Sequence, residues 1–191
     1  MTERALTQHA LLMTATNEDA LEAAVREHSR LVYRIAYSVS RNHHDAEDAT
    51  QETFLRVLRY RRKLEGIDDL KTWIARIAWR VAVEQAKKRP AASLGERQVA
   101  EAISQLRAAG KTAEELASTR EMATMLESLI AALPESLRDA IRLSTVDELR
   151  PSEIAQMLET SEASVRSRLF RGRQILKDRL SALEVQHGTT R

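Results

Sequence analysis

Apolar side chains return every three or four positions through most of this chain, and little interrupts them. Leu21, Val25, Val32, Ile35 and Val39 form one such series, with His28 filling its gap. That spacing matches the 3.6-residue turn of an α-helix and not the two-residue alternation of a half-buried strand. Only five glycines and three prolines occur in 191 residues, so few places force a helix to stop. An all-α protein is expected. Aromatic residues make up 4% of the chain, so its cores must be built from aliphatic side chains.

The few breaks sort the series into two blocks. After a tail over 1–16, residues 18–41 form one amphipathic helix that "RNHHD" interrupts. Asp45 has the chemistry of an N-cap for a second helix, whose stripe is Ala46, Ala49, Thr50, Thr53, Phe54, Val57 and Leu58. "EGIDD" (65–69) is a loop ending in an Asp cap. A third helix turns Leu70, Trp73, Ile74, Ile77 and Val81 inward and stops at Pro90. Residues 17–89 are therefore one helical domain. Residues 90–117, rich in Ala, Ser, Gln and Gly with thin apolar faces, read as a flexible linker. The second domain spans 118–182, followed by a tail over 183–191. It opens with Met122, Met125, Leu126, Leu129 and Leu133 on one stripe. Pro134 then starts a helix with Leu137, Ala140 and Ile141 inward, and Leu149 lies in the turn beyond.

The end of the second block has the build of a helix-turn-helix. Ile154, Ala155 and Leu158 face inward on a short helix over 151–158, "ETS" (159–161) makes the turn, and Val165 and Leu169 anchor a helix over 161–182. At 100° per residue, Val165, Leu169, Gly172 and Leu176 share one stripe. Gly172 thus falls on the buried side, where it lets another helix approach closely. Arg166 and Arg173 flank the stripe on one side, Arg168 flanks it on the other, and Arg171 lies further round. Phe170 points away from it. A merely solvated face would mix in acids, and "ASVRSRLFRGRQ" (163–174) has none. Guanidinium groups grip phosphates and guanine edges bidentately, and an apolar ring packs on a thymine methyl, so DNA contact is the expected role.

The net charge is only +2, so any nucleic-acid binding must come from local clusters, with help from a partner. No cysteine is present, which excludes disulfides and thiolate zinc sites. No apolar run approaches the roughly 20 residues of a membrane span, and the first residues lack a signal-like core, so a soluble, cytoplasmic protein is expected. His43, His44, Asp45, Glu47, Asp48 and Glu52 are the only metal-like gathering. The histidines precede the helix and no second set matches them, so neither metal nor cofactor is expected. No nucleophile–base pair or phosphate-binding glycine loop suggests catalysis.

"DAEDATQETFLRVLRY" (45–60), "KTWIARIAWRVAVEQAKKR" (71–89), "ALPESLRDAIRL" (132–143) and "EIAQMLETSEASVRSRLFRGRQIL" (153–176) together resemble the extracytoplasmic-function (ECF) sigma factors of bacterial RNA polymerase. The resemblance implies a non-enzymatic promoter-specificity subunit. Its first domain, like sigma region 2, would bind core polymerase and recognise and melt the −10 element. Its second, like region 4, would place its recognition helix in the major groove of the −35 element. The polymerase-binding surface would fall on Asp48, Gln51, Glu52, Thr53, Leu55 and Arg56. The −10 contacts would fall on Arg62, Lys63, Asp68, Lys71, Arg76, Trp79, Arg80 and Lys87. Trp79 lies opposite the Trp73–Ile77–Val81 stripe and is expected to be exposed, with Trp73 in the core. The −35 contacts would fall on Ser164, Arg166, Ser167, Arg168, Phe170, Arg171 and Arg173. Core polymerase, promoter DNA and an anti-sigma factor are the implied partners.

The chain departs from the family's habits at several positions. Arg80 replaces a frequent Asn, "AT" (49–50) stands where larger aliphatics are common, and Glu159 and Ala163 stand where Gly is frequent. A second reading is a LuxR-type regulator that binds DNA as a dimer through the same helix-turn-helix. The "DAEDATQETF" stretch speaks against it, because such a regulator needs no polymerase-binding surface.

Overall fold

A computed structural model describes residues 2–60, 66–88 and 113–188, with side chains over 21–60, 66–88 and 122–182. Among the described residues there are seven helices and no strand. The first is α1 (Thr2–Ser40), so the expected tail over 1–16 is continuous with the long helix from Thr2 onward. It ends where Arg41 takes a left-handed φ of 50° and donates its N–H to the Tyr37 carbonyl at 2.8 Å. Next comes α2 (His43–Arg59), capped by Asn42, whose Oδ1 accepts from the Asp45 N–H at 3.0 Å. Asp45, expected as the cap, instead sits buried in the first turn. The cause is that Asn42 already holds the extended backbone and the short side chain that capping needs.

The third helix, α3 (Leu70–Lys87), is capped by Asp69 as expected, its carboxylate accepting from the Thr72 N–H at 3.0 Å. All three helices pack on one another. Leu31, Val32, Ile35, Val57, Ile74 and Val81 form the centre of their shared core. Each such side chain contributes roughly 1.5–3 kcal/mol by leaving water.

In the second block, α4 (Ala113–Ala131) precedes α5 (Glu135–Ser144), α6 (Pro151–Met157) and α7 (Glu162–Gly188). The expected linker over 90–117 falls mostly outside the described residues, and its end, 113–117, already belongs to α4. The expected tail from 183 continues α7 up to Gly188. Of the stripe expected here, Met122 and Leu126 are exposed, Met125 and Leu129 are half-buried and Leu133, just past α4, is buried, while Ile130, which lies outside that stripe, is buried as well. Periodicity marks an apolar side, but only the approach of α5 and α7 decides which part of it is covered. Leu137, Ala140, Ile141, Leu149, Ile154 and Ala155 are buried as expected.

The helical wheel of α7 holds in three dimensions. Val165, Leu169, Gly172 and Leu176 are all buried against α5 and α6. A Cβ built on Gly172 would stand 3.0 Å from Ile141 Cγ1 and 3.2 Å from Ile141 Cδ1. Glycine is therefore what lets α5 and α7 come this close. Gly172→Leu is expected to cost about 1–3 kcal/mol through overpacking, read as a lower midpoint in urea unfolding.

Candidate nucleic-acid interface

The helix-turn-helix is closed by specific backbone chemistry. Arg150 N–H donates to Glu153 Oε2 at 2.6 Å, fixing the start of α6 behind Pro151. At its other end Glu159 adopts a φ of 51°, and the Thr160 N–H reaches back to the Ala155 carbonyl at 2.9 Å. Glu159 is thus a carboxylate-bearing residue in the left-handed turn position where Gly is frequent, at a cost of roughly 1 kcal/mol. Ser161 Oγ then accepts from the Ser164 N–H at 3.1 Å and starts α7.

With its apolar stripe turned inward, α7 presents a cationic outer side. Phe170 is 72% exposed, and Arg166, Ser167, Arg171 and Arg173 are exposed around it. Ser164 and Arg168 are half-buried, and an Arg168 Nη2 lies 3.5 Å from Thr160 Oγ1. Arg166 is paired with Glu162 one turn back at 2.5 Å. An exposed pair of this spacing is worth only about 0.3–0.5 kcal/mol, so a phosphate or base edge can displace it. The Arg171 Nε donates to the Ser167 carbonyl at a long 3.4 Å.

On α2, Asp48, Gln51 and Leu55 are exposed, and Glu52 and Arg56 are half-buried. Arg56 donates to Glu52 at 2.8 Å and to Glu84 of α3 at 2.9 Å, and these bonds, Glu52 first, hold its guanidinium further toward the charged form. Lys88 and then Arg56 hold the Glu84 carboxyl below the usual range. Thr53 does not join this surface. It is fully buried and its hydroxyl donates to the Ala49 carbonyl at 2.7 Å. The core stripe claims Thr53 because Ala46, Ala49 and Val57 turn the same side of α2 toward α1 and α3.

The residues expected to read the −10 element separate more sharply. Trp79, expected on the exposed side, is 6% exposed and belongs to the core. Neighbours on two sides of α3 bury Ala75, Ala78, Trp79 and Ala82 along with Ile74 and Val81, a wider band than one stripe. Trp73, expected in the core, is instead only half-buried and stands edge-on to Tyr60 with ring centroids 6.1 Å apart. Ile67, Asp69, Thr72, Trp73 and Arg76, with Gln156 of α6, line a cavity of about 190 Å³. Asp68 is exposed beside it, and Lys71, Arg80 and Lys87 continue the cationic edge. Arg62 and Lys63 lie outside the described residues. Sequence reasoning recognised Asp69 only as a cap and did not see that it also walls the cavity. Its cap position, directly ahead of the apolar period of α3, was the available signal.

Two family models match the chain, Sigma-70 region 2 over residues 24–90 and Sigma-70 region 4 over residues 123–176. The ECF RNA polymerase sigma-E factor of Escherichia coli K12 is 30% identical over 162 residues, covering 81% of this chain and 84% of that protein. The chain belongs to the ECF RNA polymerase sigma factors. SigW of Bacillus subtilis is 28% identical over 172 residues, covering 87% of this chain and 92% of the relative. SigE of Mycolicibacterium smegmatis is 32% identical over 157 residues, and the match spans 60% of that longer relative. Among solved structures, CnrH in complex with the cytosolic domain of CnrY superposes with a TM-score of 0.58 at 23% identity, covering 91% of this chain and 95% of the other. The sigma factor RpoE of Bartonella quintana, solved with the anti-sigma factor NepR, gives 0.54 at 18% identity, covering 84% and 96%. These two likenesses bear on the fold. With both sigma regions matched, the chain is an RNA polymerase sigma factor, and a free-standing LuxR-type regulator is not favoured.

Asp69 ties the stability of this sigma factor's cavity wall to pH. The hydrogen bond from the Thr72 N–H holds the Asp69 carboxyl below the usual carboxylate range. A lowered folded-state pKa means the cap contributes fully above the unfolded carboxylate value, about 3.9, and loses its effect as pH falls through the folded value. Asp69→Ala is expected to cost about 1 kcal/mol at neutral pH. In urea titrations the difference between variant and parent should shrink as the pH is lowered below about 4.

Proposed function

We propose that this sigma factor directs core RNA polymerase to promoters by binding energy alone, with no catalytic group of its own. Residues 17–89 act as the polymerase-binding and −10-reading domain, and 118–182 as the −35-reading domain. Asp48, Gln51, Glu52, Leu55 and Arg56 form the polymerase-facing surface, an acidic and amide rim around the exposed Leu55. Lys71, Arg76, Arg80 and Lys87 hold the backbone of the opened −10 strand, and Trp73 replaces Trp79 as the ring on which a base stacks. Stacking on an aromatic is worth roughly 1–3 kcal/mol per base, and cations beside it retain the phosphates. The outer side of α7, with Arg166, Ser167, Phe170, Arg171 and Arg173, reads the −35 element in the major groove.

The observation that carries this reading is the outward side of α7: Arg166, Arg171 and Arg173 are exposed around a phenylalanine that is itself 72% exposed, on a helix whose other side is buried through Val165, Leu169, Gly172 and Leu176. An anti-sigma factor is the further partner proposed, since the superposing RpoE was solved bound to one. The cytoplasm, where polymerase works, is the proposed compartment.

Reconstituted transcription tests the proposal. Core polymerase with this protein should initiate at a discrete set of promoters that core alone ignores. Transcription equal to that of core alone overturns the reading. Arg166→Ala or Arg171→Ala should weaken promoter binding by about 1–3 kcal/mol where the side chain grips a base edge, measured by fluorescence anisotropy of the holoenzyme. Unchanged binding in both variants removes α7 as the groove reader.

A further inference from the structure

Two carboxylates share one guanidinium where α2 meets α3. Arg56 donates from Nε to Glu52 Oε1 at 2.8 Å and from Nη2 to Glu84 Oε2 at 2.9 Å. Glu84 is anchored in turn, because Lys88 Nζ, one turn along, donates to its Oε1 at 2.9 Å. Alternating charges therefore run from Lys88 through Glu84 and Arg56 to Glu52. The series starts at the end of α3 and finishes on the α2 surface proposed to face polymerase.

The same spacing without a third partner behaves differently. On α7, Glu162 and Arg166 are also four residues apart, and both Nε and Nη2 of the arginine fall on that one carboxylate, at 3.1 and 2.5 Å. On α1, the Nη2 of Arg26 likewise turns to Glu22, at 2.5 Å. At 52 and 56 the second donor is drawn off to α3 instead. Glu52 receives one hydrogen bond from Arg56 where Glu162 receives two from Arg166. Among the described residues, Glu52 Oε2 is in no hydrogen bond. A guanidinium spent on one carboxylate cancels its charge, whereas one shared between two leaves an acidic excess. That excess lies on the same helix as the exposed Asp48 and Leu55, where a cation of a basic partner would meet it.

We infer that Glu84 is a positioning residue for polymerase binding: by drawing the Arg56 guanidinium toward α3, it keeps Glu52 open to a cation of the polymerase. The inference rests on the polymerase-facing assignment of α2 proposed above. Glu84 lies on α3, outside the surface formed by Asp48, Gln51, Glu52, Leu55 and Arg56, and acts on the partner through Arg56. All three side chains are partly exposed, so the pairs add little to stability and their weight falls on geometry.

The test measures the affinity of the full chain for core polymerase, by anisotropy of protein labelled with fluorescein at its N-terminus. Glu84→Ala should weaken binding several-fold, and the deficit should shrink as added salt screens the charges. The same change is then made in a Glu52→Ala chain. There the Arg56–Glu84 bridge between α2 and α3 is untouched, yet no Glu52 charge is left to uncover. Glu84→Ala should therefore have little further effect in that background. Parent-like affinity of the Glu84→Ala chain overturns the inference. An equal loss in both backgrounds also overturns it, because the bridge then acts by holding α2 against α3. Unchanged binding by Glu52→Ala alone removes the polymerase-facing assignment itself, and the inference with it.

Discussion

The close approach of α7 to α5 at Gly172 orients the cationic outer side of the helix-turn-helix. Ile141 fills the space that any side chain at 172 would need. Val165, Leu169 and Leu176 then lock the same side of the helix into the core. Once that side is buried, the 3.6-residue turn leaves Arg166, Phe170, Arg171 and Arg173 nowhere to point but outward. The specificity of such a helix is thus a by-product of its packing. A glycine costs helix propensity, and the offset is a fixed direction for three exposed arginines.

Electrostatics is divided between the domains in a way the net charge of +2 conceals. Cations line the seam side of α1 and α3, and carboxylates line the facing turns and helices of the second domain. Within the first domain, Arg56 joins α2 to α3 through Glu52 and Glu84. Near-neutral overall charge is therefore compatible with strongly charged local surfaces, some of them paired within the chain itself.

Much of this was readable from residue order. Helix positions, the Asp69 cap and the inward Val165–Leu169–Gly172 stripe follow from local chemistry, and the structure places them accordingly. The misreadings have a common cause. Trp73 and Trp79 exchange roles because α3 is covered by neighbours on two sides, which a single-stripe wheel cannot anticipate. Thr53 was divided between the stripe and the surface, and only packing resolved it. Met122 and Leu126 carry an apolar period that stays exposed. Asn42 displaced Asp45 as a cap because two competent residues stood within one turn of each other.

By itself, the sequence determined what depends on neighbours within a turn or two: helix type, the Asp69 cap and which side of the helix carrying Val165, Leu169 and Gly172 is apolar. Those properties are set by backbone geometry and side-chain size over about four residues, which order alone specifies. The tertiary structure decided how far each helix is covered, which tryptophan meets the cavity, and that the second domain closes over the first. Such outcomes depend on the approach of elements distant in the chain, as when Glu159 meets Arg80, and no local pattern encodes that meeting.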